Sequence, residues 1–431
     1  MKTISNQFTK SELEKLSGIF PDINTFTLPS GIARDVSTLL RYKKNYSIIS
    51  TDRTLAIEKC LYLISNLTST IFQENKWKPL SSTILHTQMK ESNDNTYTYK
   101  KILSFLIENN IIDIMTKDGK EIYQSGIKSK QYRLNPKYDT INTKVFLITS
   151  ASIITKRNKR FYITLNDALN NPICNNLVNI YPSITLPTER EILKEAKRLI
   201  KSKHKTNKGK VLTIRNSKPK SFWESDKIKR SFVEDNIKLF NFLTSRGFMI
   251  PTAGTIKSGG RIVDSFTLMP SWIRKMITIN GQRLTECDYS TLHPNIAKTI
   301  FGGSESNVSH DDVSNYLGIE RSVAKIEHLS FFNKQWSDME RSPLFKYYIE
   351  TELEMMKNIR KDKIRNSYKI TSQRLFTVEV DVMTEVVKEL NRMNINALYV
   401  YDALYVEPQF DNIAKEVMNK IAKINKINTT V

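Results

Sequence analysis

Arg283-Leu-Thr-Glu-Cys-Asp-Tyr-Ser-Thr-Leu-His-Pro-Asn-Ile-Ala-Lys-Thr-Ile-Phe-Gly-Gly303 changes its period halfway along. It begins as a strand, with Leu284, Glu286 and Asp288 on one face because successive side chains alternate. After a turn, Leu292, Ile296 and Ile300 recur at the spacing of a buried helix face. Pro294 suits the first turn of that helix, where a missing N–H costs little. An acid at the exit of a strand and just ahead of a helix can hold a metal ion or merely cap the helix. Residue type alone leaves both roles of Asp288 open.

The composition narrows the partners. The chain has 431 residues, 39% hydrophobic and 26% charged, enough for two or three domains with cores of their own. Its formal charge of +22 favours a polyanion, nucleic acid before an anionic membrane surface. No apolar run approaches the roughly 18–20 residues of a membrane span, and Met1 to Gln7 shows no signal-peptide core. Cys60, Cys174 and Cys287 stand too far apart for a disulfide framework or a zinc motif, which suits a reducing cytoplasm.

Residues 1–50 read as a lead-in with one short helix from Ser11. Helices are expected from Thr51 to about Gln73, from Ser81 to Met89, and over a third segment carrying Tyr99, Ile102, Leu103, Leu106 and Ile107. Ile111 to Met115 reads as a strand that turns at Asp118-Gly119, and Gln131 to Leu134 as another. Three helices and a basic hairpin over 51–136 outline a winged helix-turn-helix. Lys100, Lys101, Lys117, Lys128, Lys130 and Arg133 are placed there to meet phosphates. A packing or protein-docking module with a solvated basic rim has the same outline.

Residues 137–224 form a connector with a basic, thumb-like character. Strands are expected at Val145–Thr149 and Arg160–Thr164, and a helix from Thr188 to about Lys203. The run 203–210 is polar enough to be a flexible arm and the main domain boundary. A further helix is expected from Ser225 to Ser245.

From Gly259 onward the sequence resembles a known family. Gly260-Arg-Ile-Val-Asp-Ser-Phe-Thr-Leu-Met-Pro270, Ile273-Arg-Lys-Met-Ile277 and Leu284-Thr-Glu-Cys-Asp-Tyr-Ser290 are similar to the palm entrance of family A nucleic-acid polymerases. Replication polymerases and primase-polymerases of plasmids, phages and other mobile elements carry such a palm. The resemblance extends over about Gly259 to Pro408, roughly a third of the chain. It implies an α+β right-hand fold over 225–431, a palm with an antiparallel sheet plus helical fingers and thumb, behind the winged-helix-like domain.

It further implies a second acid on a late hairpin. Ala397-Leu-Tyr-Val-Tyr-Asp-Ala-Leu-Tyr-Val-Glu407 supplies Asp402 between two apolar strands, with Tyr401 and Ala403 departing from the family's flanking residues. Asp288 and Asp402 would then hold two Mg²⁺ or Mn²⁺ ions, since phosphoryl transfer needs hard cations that carboxylates share with triphosphate oxygens. Glu286 would assist, and Cys287 would face the core.

In Glu320-Arg-Ser-Val-Ala-Lys-Ile-Glu-His-Leu-Ser-Phe-Phe-Asn333, Arg321 and Lys325 lie one turn apart and match the family's nucleotide-binding pair. Leu329 and Asn333 replace its aromatics, and Phe331 or Phe332 could substitute if the register slips. Tyr289 of the Asp-Tyr-Ser motif joins the substrate set. His293, five residues after Asp288, would be a steric gate against the 2′-hydroxyl. The same run also resembles the family B motif Asp-x-x-Ser-Leu-Tyr-Pro-Ser-Ile. Arg261, Arg274, Gln373 and Arg374 match positions that approach primer–template DNA, and the basic run from Lys361 to Arg374 would follow it. The partners implied are primer–template DNA, nucleoside triphosphates and a replication accessory protein or primase. The competing readings are a non-catalytic DNA-binding replication initiator with a degenerate palm, and a single-subunit RNA polymerase.

Overall fold

The computed structural model describes residues 18–90, 98–123, 129–206 and 208–431. It is mixed α+β, 55% helix and 13% strand, with several small sheets. Two units are formed. The first runs to Ile163 and takes in Ser245–Gly247; the second comprises Thr164–Thr244 and Phe248–Val431.

The first unit contains β1 (Thr25–Pro29), α1 (Arg53–Ser65), β2 (Lys78–Pro79), α2 (Ser82–Met89), α3 (Thr98–Glu108), β3 (Ile112–Ile114), β4 (Gln131–Leu134), β5 (Thr143–Leu147) and the start of α4 (Ala151–Asn170). Asp52 caps α1 by accepting from Leu55 N at 2.6 Å. The helix is buried without interruption from Ala56 to Ile64, so it is the spine of this core. The strands β2, β4 and β3 pair antiparallel in that order behind α2 and α3. Asp118 and Gly119 both take positive φ, as a tight two-residue hairpin turn requires. The expected order of three helices and a hairpin is present. The helix expected from Ser11 and the cation Lys128 lie outside the described residues.

One expectation fails here. Arg160–Thr164 is not a strand but the middle of α4. Short aromatic and β-branched runs carry no period of their own, and the tertiary anchor decides. Glu58, buried in α1, accepts from Thr149 N, Thr149 Oγ1 and Ser150 N at 2.7–2.9 Å, holding the amides where α4 begins. Phe161 then packs edge-on against Phe20.

The second unit contains α5 (Glu189–Lys201), α6 (Val233–Thr244), β6 (Thr285–Asp288), α7 (Leu292–Phe301), α8 (His310–Leu317), α9 (Arg321–Phe331), α10 (Leu353–Arg365), α11 (Ile370–Arg392), β7 (Leu398–Val400), β8 (Ala403–Val406) and α12 (Asp411–Ile424). A capping box between Thr188 and Glu191 starts α5 as the sequence implies. The run 203–210 is not a free arm: Thr206 N donates to Lys210 O, and Leu212 N to His204 O. It leads into a parallel pair, Val211–Thr213 with Arg230–Phe232, and lies inside this unit; the division of the chain falls within α4. That pairing takes up the start of the segment expected to be one helix from Ser225, so α6 begins only at Val233.

The central sheet is antiparallel in the order β6-β8-β7, and α11 packs against both α7 and α12 beside it. Leu398 to Val400 and Ala403 to Val406 are all buried. Among the described residues no helix is long and apolar enough to cross a membrane.

Candidate active site

The β6–β8 register builds the site. Asp288 stands opposite Ala403, so the turn residue Asp402 comes beside it, and Tyr289 N reaches Asp402 O at 3.4 Å. Val400 pairs with Ala403, leaving Tyr401 and Asp402 as a two-residue loop. Tyr401 has φ of 59°, a conformation glycine usually supplies, so the carboxylate is aimed by a strained residue. On the other side Thr291 also takes a positive φ, 53°, and turns the chain from β6 into α7; its hydroxyl donates to Val308 O.

The electrostatics are those of a crowded acidic pair. Asp288 is exposed at the strand end, yet partial desolvation by the surrounding protein, and then the charges of Asp402 and Glu286, push its carboxyl up to about 7, against the ammonium groups of Lys325 and Lys275. Asp402 is raised by burial and then by Glu379, while His293 and Arg261 oppose the shift. Neither carboxylate joins an ion pair among the described residues. Two oxygen donors that disfavour each other's charge and lack a cationic partner suit a hard divalent cation. No group of three or more metal-ligating side chains occurs among the described residues, so a cation here would take its remaining ligands from water or substrate.

Glu286 does not join the pair. It bonds Lys275 at 2.7 Å and accepts from the Tyr405 hydroxyl. Cys287 is core, as its face implies; burial, then Asp411, to which its thiol donates, pushes it up to about 12.

The two cations of α9 have different surroundings. The charge of Lys325 is felt by Asp288, whereas exposed Arg321 pairs with Asp311 at 2.9 Å. Half-buried His310 shares this corner: burial, then Lys325 and Arg321, drive its imidazole down to about 4. Leu329 is 62% exposed in the same row as Lys325. Phe331 and Phe332 cannot substitute for it, because both rings are buried against Tyr348. Asn333 is tied to Ser372.

Several expected contact residues are turned to other uses. The Tyr289 ring is buried and its hydroxyl donates to Met418 O at 2.6 Å, away from any substrate. Arg274 is buried too, with Nη1 donating to Phe266 O, so it props the segment that Asp264 caps and does not meet a phosphate. Arg261 gives its guanidinium to Glu379 in a two-point bond. His293 lies 2.6 Å from the same carboxylate, with Nε2–H as the donor.

Gln373 and Arg374 do share a surface. With Lys361, Asp362, Arg365, Ile256 and Phe301 they line a cleft of about 560 Å³, although Arg374 is bonded to Asp362 at 2.8 Å. In the first unit Lys100 and Lys101 are exposed on α3, while Lys130 pairs with Glu121 and lies 5.0 Å over Tyr123.

Sequence reasoning missed Glu379 and His310. Glu379 had a signal: it interrupts the apolar row Leu375, Met383, Val387 of α11, and an acid on a buried stripe needs a partner. His310 had none, since its neighbours come from a different helix. The chain matches no protein-family model and no curated protein.

Proposed function

We propose that the chain is a template-directed nucleotidyltransferase, a DNA polymerase of the kind mobile genetic elements carry, with a family A-like right-hand architecture. The observation that carries this reading is the β6–β8 register, which sets Asp288 beside the Asp402 turn at one end of the sheet. Both acids would hold Mg²⁺ or Mn²⁺. Such ions lower the pKa of a primer 3′-hydroxyl and neutralise charge on the departing pyrophosphate.

The chain's own groups do the rest. Lys325 on α9 acts on Asp288 and would meet a triphosphate there, with His310 of α8 beside it, and Arg321 would exchange Asp311 for a phosphate. The primer hydroxyl gives its proton to solvent and attacks the α-phosphorus, the bond to the bridging oxygen breaks, and the electron pair leaves with pyrophosphate. His293, fixed by Glu379, presents a ring five residues past Asp288, where it would crowd a 2′-hydroxyl and favour deoxynucleotides. Lys361, Arg365 and the first unit's α3 would carry phosphates of primer–template DNA, in a winged-helix-like manner for the latter. Nucleotide incorporation on a primed template tests the reading, with Asp288→Ala and Asp402→Ala as controls. Full incorporation by either variant overturns the assignment; separate feeding of ribonucleotides and deoxynucleotides distinguishes RNA from DNA synthesis.

A second reading is a non-catalytic replication initiator. The exposure of Leu329 and the burial of Phe331 and Phe332 favour it, because α9 offers no ring at these positions to a nascent base pair. Tight, sequence-specific duplex binding without metal-dependent synthesis would decide for it.

A further inference from the structure

Glu379 is wholly buried in α11, and both its carboxylate oxygens are used. Arg261 Nε donates to Oε1 at 2.8 Å and Nη2 to Oε2, while His293 Nε2 lies on Oε2 as well. The guanidinium is held from its faces too, 3.7 Å from the Phe376 ring centroid and 4.7 Å from that of Tyr401. Tyr401 immediately precedes Asp402, an acid whose charge Arg261 feels and with which it makes no ion pair.

That arrangement needs a cause. In a poorly solvated site an arginine beside an unpaired carboxylate gains by pairing with it. Here Arg261 and Asp402 feel each other's charge, yet the guanidinium is bonded elsewhere. We propose that Glu379 is a positioning residue that holds Arg261 off Asp402 and so reserves Asp402 for a divalent cation. The backbone supports the same arrangement. A Cβ on Gly259 would fall 2.3 Å from Phe376 Cβ and 2.7 Å from its carbonyl carbon, so the turn ahead of Arg261 is pressed against α11. Arg261 is thereby delivered to the Glu379 carboxylate, with which it makes its ion pair.

This inference rests on the reading of Asp288 and Asp402 as a cation site, and it is tested without synthesis. Mn²⁺ binding to the full chain is followed by loss of the free-ion electron paramagnetic resonance signal, in wild type, Glu379→Gln and the double variant Glu379→Gln with Arg261→Gln. Removing the charge of Glu379 frees Arg261 to cover Asp402, and affinity should fall about 10–100-fold, the range for supporting residues of a metal site. Removing Arg261 as well should restore it, a rescue that a merely structural role would not give.

Wild-type affinity in Glu379→Gln overturns the inference, as does a folded double variant that stays weak. Should Glu379→Gln fail to fold, the double variant alone decides, because its neutral pair must bind Mn²⁺ as wild type does. A wild type whose Mn²⁺ binding is unaffected by Asp288→Asn and Asp402→Asn overturns both the inference and the cation site. Mn²⁺ binding there without nucleotide incorporation overturns only the proposed function.

Discussion

Lys298 on α7 and Glu352 at the start of α10 form an ion pair of 2.7 Å with both side chains 4% exposed. Lys298 also donates to Ser304 and Ser306, and Glu352 accepts from Ser304 N, so the pair is fully hydrogen-bonded. It fixes the far end of the helix that Asp288 leads into. Removing one partner, as in Glu352→Ala, strands a buried ammonium and should cost about 3–5 kcal/mol. Replacing both, Lys298→Met with Glu352→Leu, should cost far less. Urea unfolding of the three proteins checks this.

If the acidic pair holds a cation as proposed, stability and metal binding should depend on pH in opposite senses. Asp288 is held near 7 in the folded, metal-free chain against an ordinary 3.8. Between those values the folded state keeps a proton that the unfolded state has lost, so rising pH removes stability up to about 7. Cation binding requires the proton to leave, so Mn²⁺ affinity should climb with pH toward 7 and then level off. Asp288→Asn should raise the melting temperature of the metal-free protein while abolishing that binding. Calorimetry and Mn²⁺ titration across pH 4–8 read both.

Acid should loosen α8 and α9 first. His328 is buried, with Nε2 on the Tyr348 hydroxyl at 2.7 Å and Nδ1 shared between Ala324 O and His310. Burial and then the neighbouring His310 drive it down to about 3. The unfolded chain takes up these protons near 6.5 and the folded chain does not, so this stability is complete above 6.5 and is lost as pH falls toward 3–4. Hydrogen exchange of α8 and α9 amides should quicken between pH 6.5 and 4, and His328→Phe should flatten the dependence.

Gly259→Ala should destabilise the second unit. The added methyl meets backbone as well as a side chain of α11, and the position has φ of 63°. A loss of about 1–3 kcal/mol is expected, as for overpacked cores. Gly281→Ala, at a positive φ with open space around it, should cost less and is the control for strain alone. Thermal unfolding compares them.

What could be read in advance followed the reach of each signal. The strand-to-helix change at Asp288, the two apolar runs flanking Asp402 and the start of α5 after Thr188 are local patterns, and strands and helices stand at those places. Arg160–Thr164 was misread because helix or strand there depends on Glu58, roughly a hundred residues earlier. Arg261, Arg274 and Tyr289 are expected to be contact residues from their place in the resembled motifs, but a motif match does not tell which partner is nearest in space. Each is consumed by a neighbour that only folding supplies: Glu379, Phe266 and Met418. An arginine already bonded within the fold is therefore weaker evidence of a phosphate contact than an acid with no ion pair is of a cation.

Tyr401 holds a backbone shape better suited to glycine, at the one loop that aims Asp402. A chain bred for heat resistance would find Tyr401→Gly an easy gain, since relief of such strain is worth about 1 kcal/mol or more. The same change would remove the ring over which Arg261 lies and let the carboxylate wander. Screens that select only for survival at high temperature should therefore keep returning this position, and every hit should be a robust protein with a blunted site.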